Sequence, residues 1–172
     1  MKKILLFLFV AFNLSSCDDG DITLESFNFD DGLIQKCPDS KELIFKTSND
    51  ELLLINLGET NYNSLFQPIE TGSTPRTLTI TSTQNQVIYR KYSSTVSQNT
   101  VCSIVPVSSP TVTKEWLATG GTISVLTNEL TNTDDEVIGH SHNVTFLNVN
   151  FSSSDNSFSF TSYNYGNHEI LD

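Results

Sequence analysis

The chain has 172 residues, with nine Lys or Arg against 20 Asp or Glu and a formal charge of −11. That length suits one domain with a single core. The charge argues against nucleic acid as a partner, because binding phosphates requires a basic patch that releases counterions, and the cations here are scattered.

Met1 is followed by Lys2, Lys3 and an apolar run from Ile4 to Phe12, shorter than the ~20 residues of a membrane-crossing helix. A charged start with a short apolar core reads as an export signal over residues 1–16. The next residues, Leu14-Ser15-Ser16-Cys17, resemble the lipobox recognised by lipoprotein diacylglyceryl transferase and the lipoprotein signal peptidase. The resemblance implies cleavage before Cys17, lipidation of Cys17 and attachment to a membrane through that lipid. More than one acyl chain gives stable anchoring, since each buried CH₂ contributes ~0.8 kcal/mol. Cleavage would remove two lysines and no acids, leaving 9 − 2 = 7 cations, 20 acids and a charge of −13. Asp18-Asp19-Gly20-Asp21 follows and resembles the acidic signal that carries Bacteroidetes-type lipoproteins to the outer face of the outer membrane; the periplasmic face is the alternative. Residues 17–23 then form a lipidated acidic tether and residues 24–172 the domain.

The chain is rich in Ser, Thr and Asn and nearly free of Ala, a bias towards strands and turns. Short runs with a period near two predict strands at Leu24–Phe29, Glu42–Thr47, Glu51–Leu57, Thr77–Thr83, Val87–Tyr92, Thr122–Leu126, His142–Phe151 and Ser157–Tyr163. Gly58 to Gln67 is a candidate helix, with Leu65 and Phe66 turned inward. Ser109-Pro110 through Gly120 carries helix start and stop signals, but Val112 and its threonines suit an extended edge equally. From Gly120 onward the pattern predicts an antiparallel meander. Together these predict an all-β fold: a single antiparallel β-sandwich, with a small β-barrel as the alternative. Cys37 and Cys102 are the pair left after Cys17, and in an exported chain they are expected to form a disulfide.

Candidate sites are few. His140 and His142 lie two apart on a predicted strand and share a face, so with His168 they could supply imidazoles to zinc or copper; a solvated strand end is the simpler reading of His140. Asn132-Thr133-Asp134-Asp135-Glu136 offers carboxylates without the spacing of a calcium loop, so it reads as a solvated acidic turn. No nucleophile elbow and no Ser-His-Asp arrangement with supporting context appears, and neither an enzyme nor a cofactor is expected. Trp116, Tyr163 and Tyr165, with Tyr62, Tyr89 and Tyr92, could form a platform that stacks on sugar faces, with core packing as the competing role.

Taken with the lipobox and the acids behind it, the segments Phe27-Asn28-Phe29-Asp30-Asp31, Val87-Ile88-Tyr89-Arg90 and Ala118-Thr119-Gly120-Gly121-Thr122-Ile123 resemble small Bacteroidetes surface lipoproteins. The resemblance implies a location and carries no activity. The expected function is a non-enzymatic surface module that binds a glycan or an envelope protein. The alternatives are a structural envelope lipoprotein without a discrete ligand and a histidine-based metal-binding domain.

Overall fold

The computed structural model describes residues 26–29, 32–105 and 107–172; Cys17, the acidic tether and the start of the first predicted strand lie outside them. Eight strands belong to one antiparallel sheet: β1 (Gln35–Cys37), β2 (Ser40–Ser48), β3 (Glu51–Asn56), β4 (Arg76–Thr79), β5 (Gln86–Tyr92), β6 (Val112–Thr131), β7 (Val137–Ser152) and β8 (Ser157–Leu171). Their order is β1-β2-β3-β5-β6-β7-β8, with β4 paired to β6 beyond the end of β5. The sheet curls into a half-barrel, so the all-β expectation holds, with sandwich-like packing across a shared core. Tyr165 of β8 donates to the Leu53 carbonyl of β3 at 3.2 Å, which brings far-separated strands together across that core.

Curvature comes from local backbone. On β7 the buried positions run His140, His142, Val144, Phe146 and then Val149, Phe151. The parity changes around Asn148, which has φ +50°. Opposite it on β6, Gly121 has φ +120°, and a Cβ there would sit 2.8 Å from the Val149 Cα, so only glycine fits. Bulges of this kind bend and twist strands, and the β6–β7 register shifts between Ala118 and Thr122 fall at this corner.

The inner core includes Ile44, Leu53, Tyr89, Trp116, Phe146, Phe151 and Tyr165. Residues 26–29, part of a predicted strand, are not in a strand: Phe27 and Phe29 plug the half-barrel. Phe27 packs within 4.8–5.7 Å of the rings of Phe29, Tyr89, Phe151, Phe158, Phe160 and Tyr163.

The outer face of β1, β2, β3 and β5 is also covered. Phe45, Leu52, Leu54, Ile88 and Tyr92 form a second cluster with Val96, Cys37 and the short helix α2 (Gln98–Cys102). This explains the uninterrupted run Leu52-Leu53-Leu54-Ile55, since a strand buried on both faces loses its alternation. The expected disulfide is present, joining Cys37 of β1 to Cys102 of α2. Helix α2 starts at Ser97, whose hydroxyl accepts from the Thr100 N–H in a capping box.

The helix expected near residues 58–67 is α1 (Glu59–Leu65). The ambiguous stretch after Ser109 takes the extended form and opens β6 at Val112, where pairing to β5 supplies hydrogen bonds that a Thr-rich helix would gain only at a cost in propensity.

Candidate functional site

The three histidines do meet. His142 of β7 and His168 of β8 are direct cross-strand partners, and His140 lies one inward position along β7. Ring centroids are 6.5 Å apart for His140 and His142 and 6.4 Å apart for His142 and His168, which makes a row of three imidazoles. The row is buried, with exposures of 8%, 0% and 4% for His140, His142 and His168, so His140 is not the solvated strand end that its neighbouring turn suggests. Helix α1 and its C-cap Phe66 cover two of the three: Phe66 sets its ring edge-to-face against His142 and His168, at 5.3 and 5.1 Å.

Two ring nitrogens are engaged. His142 Nδ1 lies 2.8 Å from the Thr127 hydroxyl, which also accepts from Arg76 at 2.9 Å. His168 Nε2 lies 2.9 Å from the Tyr62 hydroxyl of α1. His140 Nδ1 and His142 Nε2 are buried with no hydrogen-bond partner. Burial, then His140 and Arg76, push the His142 pKa down to about 4. Burial, then His142 and Lys36, push His168 down to about 4. Both rings are therefore neutral at pH 7. The Tyr62 hydroxyl is pushed up to about 12 by burial and by Glu42, so it stays protonated and can donate to His168.

A hydroxyl 2.8 Å from an imidazole has the spacing of a nucleophile and its base. Thr127 and His142 are both fully buried, and Arg76 already donates to the hydroxyl, so the pair offers no approach to a substrate. Among the described residues no group of three or more His, Cys, Asp or Glu is arranged so that it could hold a metal ion.

The aromatic platform needs correction. Trp116, Tyr163 and Tyr165 are 0%, 8% and 0% exposed, and Tyr62, Tyr89 and Tyr92 are buried as well. Trp116 stacks on Tyr89 at 5.0 Å, and its indole N–H donates to Asn156. Tyr163 donates no ring face to solvent; its hydroxyl accepts from the Phe29 N–H. These rings fill the half-barrel. The acidic turn between β6 and β7 is tied by its own groups: the Asn132 side-chain oxygen accepts from the Asp134 and Glu136 N–H groups, and its amide donates to the Glu136 carboxylate.

A feature without any sequence signal is the open seam of the sheet. A groove of about 540 Å³ runs there, lined by Lys36 of β1 and Lys46 of β2, by Gly166–Glu169 of β8, and by Gly32, Leu33 and Ile34. Both bordering strands, β1 and β8, are ends of the sheet, with no further strand paired to them among the described residues. Leu33 and Leu171 are exposed beside these ends. No helix among the described residues is long and apolar enough to cross a membrane. The chain matches no family model, no curated protein and no solved structure, so its own geometry carries the functional reading.

Proposed function

We propose that this is a lipid-anchored protein of the outer membrane, facing the cell exterior, whose open seam captures an extended segment of a partner protein. The lipobox and the acids after Cys17 support the address. The observation that carries the binding reading is the groove between the two free sheet ends. An added strand gains main-chain hydrogen bonds along an exposed edge and places alternate side chains in the groove. Strand β8 runs 15 residues without Pro, Lys or Arg, the residues that commonly guard an edge. Of the charged groups lining the groove, Lys46 is buried and donates to the Phe29 carbonyl at 3.0 Å, while Lys36 and Glu169 are exposed. A glycan ligand has less support, because the rings that would stack on sugars are buried.

Two experiments test the parts separately. Labelled palmitate should enter the wild-type protein in cells and fail to enter Cys17→Ala; equal labelling would remove the anchor. For the seam, a photo-crosslinking residue at Asn167, in the groove, is compared with one at Asn128, exposed on β6. A discrete envelope protein joined only through position 167 is the expected result, and no adduct, or the same adduct from both positions, would overturn strand capture.

A further inference from the structure

We propose that the imidazole row and α1 form an acid-released latch: neutral histidines seat α1 on the end of the half-barrel, and protonating them lifts it off. Helix α1 has seven residues, and its N-cap Gly58 supplies no side-chain cap. A helix so short is marginal alone, so its position depends on what Tyr62, Leu65 and Phe66 pack against. Two of those three rest on the histidines: Tyr62 bonds to His168, and Phe66 packs on His142 and His168.

A charge cannot be accommodated while the cover stays on. A protonated His142 would carry an N–H at Nε2, which has no partner, and the Phe66 ring packs against that imidazole. An unpaired buried cation is costly, and access to water removes the cost. The fixed charges facing the row add to this. Arg76 of β4 acts on His142 and Lys36 of β1 acts on His168, both repelling a new positive charge, while Glu42 of β2 acts on Tyr62. From β6 the row meets Thr127, which is neutral and already holds Arg76. From β7, His140 adds a third titratable ring beside His142.

The direction follows from linkage. The closed state holds these histidines neutral down to about pH 4, whereas solvated rings take up protons near pH 6.5. The closed state is therefore fully favoured above ~6.5 and loses ground as pH falls towards 4, up to tenfold per pH unit for each histidine. Other contacts need not follow, because the remainder of the half-barrel is built on apolar burial.

The test is hydrogen exchange on the whole exported domain between pH 7.5 and 5, with rates corrected for the intrinsic pH dependence of amide exchange. The amides of Tyr62 and Phe66, bonded to the carbonyls of Gly58 and Tyr62, should lose protection at least tenfold while those of Val125 and Phe146 keep theirs. His168→Gln retains an acceptor for the Tyr62 hydroxyl and cannot titrate, so its α1 should lose less protection on acidification. Histidine titration by NMR on the unmodified protein gives a reading independent of that variant, with His142 and His168 expected to titrate well below 6.5. Unchanged α1 protection, parallel loss across the sheet, or histidines titrating near 6.5 with α1 still protected would each overturn the latch.

Discussion

Tyr165 joins strands that the chain order keeps far apart, since its hydroxyl on β8 reaches the Leu53 carbonyl on β3. Burial holds its pKa above the usual tyrosine value, so the phenol remains a donor. Tyr165→Phe keeps the ring and deletes only the bond. A loss of about 1 kcal/mol is expected for a buried hydrogen bond of this kind, read as a lower urea midpoint at constant slope. Gly121 is a harsher position. Any side chain there must displace the β7 backbone at Val149 and adopt a left-handed φ, so Gly121→Ala is expected to cost more than about 1–2 kcal/mol. Thermal unfolding of the variant checks this; wild-type stability would show that the corner relaxes easily.

At the scale of elements, the outer cluster depends on α2 and its bridge. The Cys37–Cys102 disulfide spans 65 residues of sequence, and closing so long a loop stabilises by about 4 kcal/mol in the chain-entropy model. Replacing both cysteines with Ala should therefore lower stability by several kcal/mol in denaturant titration. It should also expose Leu52, Leu54 and Ile88, because α2 has only five residues. Strands β7 and β8 illustrate how register builds a site. Their register shifts between Val144 and Thr145, where Tyr165 is the extra residue on β8: before it along β8 paired residues sum to 309, as in Phe146 with Tyr163, and beyond it they sum to 310, as in His142 with His168. Without that one extra residue His142 would oppose Asn167, and the row would be broken.

At the scale of the molecule, a half-barrel must fill its interior, and the segment entering from the N-terminal side does so. Phe27 touches six rings drawn from the same segment, β5, β7 and β8. Phe27→Ala should cost about 3–5 kcal/mol, the range for removing a buried aromatic ring, with calorimetry as the check. A loss below 1 kcal/mol would show that the interior collapses around the gap.

The strand periods, the helix around Leu65, the cysteine pair and the meander after Gly120 were legible in the sequence, because alternation and turn chemistry are local properties of the chain. The shared face of His140 and His142 was legible for the same reason. The alternation also shows its own break, since Val144 and Phe146 give way to Val149 and Phe151. What it does not carry is whether a face is covered. Burial of Trp116, Tyr163 and Tyr165 follows from the curl of the sheet and the Phe27 plug, both set by contacts between residues far apart in the chain. The same holds for α1 over the histidines, for the pairing of His168 with His142 and for the open seam. Period and composition thus determined the class of fold and the expected bridge between cysteines; closure, register and cover were decided only when the strands met.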